Sequence, residues 1–297
     1  MRKLGSGIEE RLLIINADDF GITGGTNAAI IDLFEQKAIT SASIMMPCSA
    51  AREAIEKSKE ANFKQIGIHL TLNSDKNNGL RPVFKERVLS SLVTEQGYFY
   101  NEISQVEIMA NPEEVKLEFD AQIQNAILLG IDPTHLDSHG GSIMGLHTGR
   151  DFLDIIFDLC EKYCLPFNLP LRILEQPFFN HTQKEGFKSR IDTANKRGIM
   201  LIDDMVSLPY CQKTSVKYEE LKQQFKQIIK NIRPGITQLT VHPALITNEL
   251  KALTHCYSER ELEYFLLKDD DILRFIKREG IRLLSWKAIR DLQRNMN

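Results

Sequence analysis

The sequence predicts an α/β fold, a TIM-like (β/α) barrel of mostly parallel strands. Three observations predict it. Short apolar runs alternate with helical patterns along 297 residues, the order of repeated strand–helix units. The runs are rich in Ile, Leu and Val and do not alternate with polar residues, as in strands buried on both faces of a parallel sheet. Side chains able to bind a cation or move a proton close several of these runs, spread across the chain. The βα loops of a barrel converge at such strand ends, whereas an open sheet gathers its site at one switch point.

The elements follow in order. The first strand is Leu12–Asn16, closed by Asn16-Ala17-Asp18-Asp19-Phe20-Gly21. A helix over Asn27–Gln36, a strand over Ala42–Met46 and a helix over Ala50–Ala61 lead to the strand Ile66–Leu70, which carries His69. The connection at about 73–111 is long for a compact domain, and such loops are often functional. It carries Phe84, Tyr98, Phe99 and Tyr100, rings suited either to a sugar face at the barrel mouth or to a small core of their own. The helix Pro112–Leu129 has strong end signals: Asn111 as cap, Pro112 at the first position, Glu113 and Glu114 at the positive dipole end, and Gly130 as terminator. Strands are then expected at Thr134–Asp137, Phe167–Arg172, Ile199–Ile202, Gln238–His242 and Ile281–Leu284. Helices are expected at Arg150–Tyr163, Tyr218–Ile232 and Glu259–Glu279, the last broken near Asp269–Asp271. One domain over 1–297, with the insertion at about 73–111, accounts for all of them.

Composition excludes several classes. Apolar residues make up 42% and charged residues 26%, as in an ordinary soluble domain, and the net charge is −3. No basic tract suggests a nucleic-acid partner or a membrane surface. Met1 to Arg11 is polar, the apolar run after it is too short for a secretion signal, and no stretch reaches spanning length. A cytoplasmic location is therefore expected. The five cysteines are Cys48, Cys160, Cys164, Cys211 and Cys256, an odd count without Cys-x-x-Cys, so reduced thiols are expected. Cys160 and Cys164 lie one helical turn apart and read as an inward-packed face.

Four of the seven histidines sit in the strand-end segments. In Asp18-Asp19 one carboxylate can bind a metal while its neighbour stays free as a base, although a polar turn with one Asp as helix cap has the same sequence. A lone His69 in an apolar run would read as a core residue, but the other segments point to a ligand. In Thr134-His135-Leu136-Asp137-Ser138-His139, His135 and Asp137 share one side of an extended chain, while His139 falls past the strand end. His139 is thus the most accessible ligand, with His135 and Asp137 beneath it as partners that orient ligand imidazoles; all three can be read as ligands, but they would overcrowd a catalytic site that keeps a position open. His242, before Pro243, suits a general acid or a stabiliser of an oxyanion.

Together, Asn16–Gly21, Thr40-Ser41, Gly67-x-His69-x-x-Leu72, Thr134–His139 and His242-Pro243 resemble the YdjC-like carbohydrate deacetylases, from Leu12 to at least Pro243. The resemblance implies an irregular barrel of the glycoside hydrolase and deacetylase type, related to the wider polysaccharide deacetylases. It implies one divalent metal ion held by Asp19, His69 and His139, with Asp18 as base, His242 as acid and Arg172 holding the base carboxylate. Magnesium is the metal by family resemblance, while the donors suit Zn, Co, Ni or Mn about as well. The implied partner is an N-acetylated sugar, and a homodimer stays open as the assembly. One departure stands out. The family continues its third motif with further histidines, whereas this chain runs Gly140-Gly141-Ser142-Ile143-Met144-Gly145-Leu146 before His147. Two other readings fit the residues: another barrel metallohydrolase, acting on a cyclic amide or a phosphoester, and a non-catalytic sugar-binding or regulatory protein. Asp18, which pure binding would not need, speaks against the latter.

Overall fold

The computed structural model describes residues 9–75, 77–211 and 217–296; most of the polar N-terminal segment lies outside them. The first strand, β1, spans Arg11–Phe20, longer than its apolar run, because Asp18 and Asp19 continue it as buried residues. Around it lie β2 (Ser41–Ile44), β3 (Ile66–Leu70), β4 (Leu136–Ser138), β5 (Asp204–Ser207), β6 (Gly235–Val241) and β7 (Arg282–Leu283). All the pairs are parallel, in the order β4-β3-β2-β1-β6-β5, with β7 on β1 at Leu12 and Leu13. Single parallel bridges, Leu136 to Phe167 and Pro170 to Ile202, continue the circuit between β4 and β5. The result is a curled α/β sheet of TIM-like type.

The expected strand Phe167–Arg172 is reduced to those single bridges. Pro166 and Pro170 remove ladder donors, and Leu171–Glu175 coils into a 3-10 turn. Ile199–Ile202 contributes only the bridge at Ile202, and the regular strand begins two residues on, at the polar Asp204.

Helices α1 (Gly24–Glu35), α2 (Ala51–Glu60), α4 (Pro112–Leu128) and α5 (Leu153–Tyr163) match their sequence signals, and α4 has the Asn111 cap and Pro112 start. Among the rest, α3 is Ile103–Met109, α6 is His181–Lys196, α7 is Tyr218–Lys230 and α8 is Asn248–Leu253. The expected helix Glu259–Glu279 breaks at Asp269, the shared cap residue of α9 (Tyr257–Lys268) and α10 (Asp270–Arg278). Last comes α11 (Trp286–Arg294). No helix of the described residues is long and apolar enough to cross a membrane.

Two buried clusters flank β1. Leu13, Ile15 and Ala17 join the large core under the helices, while Leu12 and Ile14 join Ile202, Ile236, Trp286 and Ile289. Strand alternation puts Asn16 and Asp18 on the same face as Leu12 and Ile14, directly above that smaller cluster. The insertion has its own core of Leu80, Leu89, Leu92, Val93, Phe99 and Val106, continuous with the main one.

One sequence expectation fails outright. Cys211 and Cys256 are joined as a disulfide, with Cα atoms 5.2 Å apart, rather than both reduced. They lie 45 residues apart, so no local spacing announces the pair. Cys160 is buried on α5, and Cys164 ends that helix in a left-handed conformation with φ 50°.

Candidate active site

The centre starts at a fault in β1. Its register with β2 shifts between Ala17 and Phe20, and Asp19 has φ 65°, in the left-handed region that a residue with a Cβ seldom adopts. In a regular strand neighbouring side chains face opposite sides. The bulge lets Asp18 and Asp19 both turn to the same centre. Strain of this kind costs about 1–3 kcal/mol and tends to persist at functional sites.

Three ligand-type atoms converge there. Asp19 Oδ1 lies 3.5 Å from His69 Nε2 and 3.3 Å from His139 Nδ1. The donor atoms of the three residues all lie within 4.8 Å of one another. Asp19 Oδ1 is buried and accepts no hydrogen bond. A buried carboxylate oxygen without a donor, facing two imidazoles, is the arrangement a divalent cation satisfies. The residues therefore fit one. Asp18, His69 and Asp137 form a second grouping that shares His69. Asp137, however, already binds the other ring nitrogen: His69 Nδ1 lies 2.9 Å from Asp137 Oδ1. Carboxylates in that position fix the orientation of a ligand imidazole and leave Nε2 free.

His135 stands one step further back. Its Nε2 lies 3.5 Å from Asp137 Oδ2, and its ring stacks on Trp286 with centroids 4.7 Å apart. Gly67 on β3 makes room for it, since a Cβ there would come within 2.3 Å of the imidazole. Asn16, which no reading of single residues selected, donates from Nδ2 to Asp18 Oδ1 at 2.7 Å and reaches Asp137 Oδ2 at 3.4 Å.

Burial, reinforced by Asp137 and Asp19, pushes the Asp18 carboxyl up to about 8. Burial would also raise Asp19, but Arg260 and His139 outweigh it and hold that carboxyl well below the usual range. Burial would lower His69, yet Asp137, Asp18 and Asp19 carry it up to about 10. A cation held at Nε2 would take the place of that proton. Enclosure lowers His242 to about 3, with Arg260 adding to the effect, so this imidazole is neutral near pH 7. An imidazolium waiting at His242, as a simple acid role implies, is thus not its resting form.

Arg172 does not reach the base. Its Nη1 lies 3.4 Å from Asp204 Oδ2 and its Nη2 donates to the Pro234 carbonyl, because the 3-10 turn after Pro170 carries it to the β5 side. The guanidinium that does reach the centre belongs to Arg260 on α9. It is buried, and its Nη2 donates to Asp19 Oδ2 at 2.7 Å. In the sequence Arg260 is one charge in a helix rich in Glu and Lys, with nothing to separate it from a solvated face.

A cleft of about 450 Å³ opens onto Asp18 and His242 and is walled by Met144, Leu146, Phe178 and Phe179. The insertion rings do not line that cleft; Tyr98, Phe99 and Tyr100 line a second one with Asp75, whose Oδ1 lies 4.0 Å from His139 Nε2. Tyr98 lies under the Arg81 guanidinium, 4.0 Å from its centroid, and packs on Gly79, while Phe99 is buried. His147 is held by its backbone, which donates to Glu107 on α3.

The profile of the YdjC-like protein family matches residues 12–278. The chain belongs to the YdjC-like family. Among its relatives is a carbohydrate deacetylase of Thermoanaerobacter pseudethanolicus, 28% identical over 94% of this chain and all of the relative. A carbohydrate deacetylase of Enterococcus faecalis is 27% identical over 95% of this chain and 99% of the relative. A crystal structure from Enterococcus faecalis V583, described as a candidate cellobiose-phosphate cleavage protein, superposes with a TM-score of 0.75 at 26% identity, covering 94% and 99% of the two chains. By membership this chain is a hydrolase of the deacetylase kind.

Proposed function

We propose that this YdjC-like chain removes the acetyl group from an N-acetylated amino sugar or short oligosaccharide. The observation that carries the reading is a division of labour at one point. Asp18 and His242 line the open cleft, while Asp19, His69 and His139 converge behind Asp18.

Asp19, His69 and His139 would hold the divalent cation, which when bound supplies Lewis acidity toward the acetyl carbonyl and the attacking water. Asp18 takes the proton from that water. Burial raises its carboxyl to about 8, the charge of a cation held by the neighbouring Asp19 would favour the ionised form that accepts the proton, and Asn16 fixes the group in place. His242 approaches from the cleft as a neutral imidazole. It donates a hydrogen bond to the oxygen that becomes negative, and as that charge develops it accepts the proton that Asp18 took from the water. Protonated in this way, it hands that proton to the departing amine, which leaves very poorly as an anion.

The cleft wall suits a sugar. Phe178 is 72% exposed and its ring lies 4.6 Å from that of Phe179. An exposed ring backed by a partly buried one, in a cleft that Asp18 also lines, is a natural platform for the apolar face of a pyranose, and the cleft has room for more than one ring. Acetate release from N-acetylated mono- and disaccharides, measured before and after chelation and with metal restored, tests the reading. Metal-dependent acetate release is the expected result. A protein that releases none, but cleaves a cyclic amide or a phosphoester, would overturn it.

A further inference from the structure

The disulfide lies against the site. Cys256 immediately precedes α9, and Arg260 follows one turn later, its backbone nitrogen donating to the Cys256 carbonyl at 3.2 Å. Cys211 directly follows Tyr210 and has φ 54°. Its backbone nitrogen donates to Glu259 Oε2. The Tyr210 hydroxyl accepts from Arg260 Nε at 2.8 Å, and its ring lies 4.8 Å from that of His242. Through Arg260, the same tyrosine is one residue removed from Asp19. Residues 210 and 211 are therefore tied to the first turn of α9 three times: by the Tyr210 hydroxyl, by the Cys211 amide and by the bond to Cys256.

We propose that Tyr210 is a positioning residue for the deacetylation centre, acting on Asp19 through Arg260 and on His242 through its ring, and that the Cys211–Cys256 disulfide fixes it there. The proposal rests on the deacetylase reading for its effect on turnover. Its effect on metal binding stands apart from that reading. Asp19 engages Nη2 of Arg260 and Tyr210 engages Nε, so two of the three guanidinium nitrogens are held. With Tyr210 fixed, the carboxylate that faces the two imidazoles is held in a single orientation at a backbone position that is already strained. Cys211 is half-buried, so its sulfur is the one open to attack by a thiolate. A dithiol reductant breaks the S–S bond, gives two electrons and two protons to form two thiols, and leaves as its own cyclic disulfide. Tyr210 then loses its covalent tie and keeps only hydrogen bonds. Disulfides in reducing compartments are usually transient or redox-sensing, so a bond in this place would couple the site to the thiol poise around it.

The test uses the whole protein. Alkylation in denaturant should count three free thiols before reduction, Cys48, Cys160 and Cys164, and all five cysteines after treatment with a dithiol. Five free thiols in protein that has never met a reductant would overturn the proposal at its base. Metal retention against a chelator is read next, in oxidised, reduced, Tyr210→Phe and Cys256→Ser protein. Oxidised wild type should hold its cation about tenfold more tightly than the other three, the usual scale for an outer partner of a ligand. On an N-acetylated disaccharide at saturating metal, kcat should fall by about tenfold in those three forms while KM stays within twofold. Adding reductant to Tyr210→Phe should change little more, because both changes remove the same restraint. A purely structural cross-link would lower Tm and leave metal retention and kcat at 25 °C unchanged, and that result would contradict the proposal. If no substrate is deacetylated but metal retention responds as stated, the deacetylase reading fails and the positioning role stands.

Discussion

Asp18, Asp19, His69 and Asp137 ride on β1, β3 and β4, within one run of parallel ladders. His242 lies just beyond β6, Tyr210 in the segment after β5, and Phe178 in the segment after the 3-10 turn Leu171–Glu175, near where the sheet thins to single bridges. The first side is dry and fixed: His69, Asp19 and Asp137 are at most 2% exposed. The second is open, and its largest ring, Phe178, is 72% exposed. The difference teaches where each task is placed. Asp19 and His69, which must meet a cation within a fraction of an ångström, sit on strands, with His139 in the turn directly after β4, while groups that meet a variable substrate sit on loops carried by that scaffold.

The largest expected effect is on the strand side. His69→Ala and His139→Ala should each lose bound metal by more than the ~10–100-fold typical of an outer partner, and lose turnover with it, while the circular dichroism spectrum is retained. Full metal occupancy in both variants would break the comparison, because the rigid side would then have no special task.

His242→Ala should be next. Acetate release from an amide should drop by ~10²–10³-fold at unchanged metal content, since the amine needs a proton. Hydrolysis of an aryl acetate, whose leaving group needs none, should fall far less. Equal losses on both substrates would restrict His242 to stabilising the oxyanion.

The smallest effects separate the cleft wall from the insertion. Phe178→Ala should raise KM for a disaccharide by about threefold to tenfold, and for a monosaccharide less, as loss of one aromatic contact would. Tyr98→Ala should leave KM alone and cost about 0.5–1 kcal/mol of stability through the Arg81 contact. The reverse pattern would return the substrate wall to the insertion.

The two sides also differed in how legible they were. Apolar runs located β1, β2, β3 and β6, and with β3 the position of His69, because burial on both faces writes itself as unbroken Ile, Leu and Val; His139 was read instead from its place past the end of the Thr134–Asp137 run. That Asp18 and Asp19 are part of β1 was not readable, since a carboxylate pair normally ends a strand and only the bulge reverses this. On the loop side, the helix α6 was missed because its sequence is mostly polar, with only Phe187, Ile191 and Ala194 buried, and its start depends on a capping box between Asn180 and Gln183. Arg172 was misplaced because Pro170 converts an expected strand end into a turn. Arg260 and the Cys211–Cys256 pair depend on contacts across 241 and 45 residues, and no local pattern encodes them.

The central claim is that adjacent carboxylates on one bulged strand do different work, Asp19 as ligand and Asp18 as base. Metal content and acetate release should be measured together in Asp18→Asn and Asp19→Asn, each with and without added metal. Asp18→Asn should keep its metal and lose ~10²–10⁴-fold in turnover, unrescued by more metal, because an amide cannot take the proton. Asp19→Asn should lose metal and recover part of its turnover when metal is supplied in excess. Loss of metal from Asp18→Asn, with Asp19→Asn fully loaded and inactive, would contradict the account.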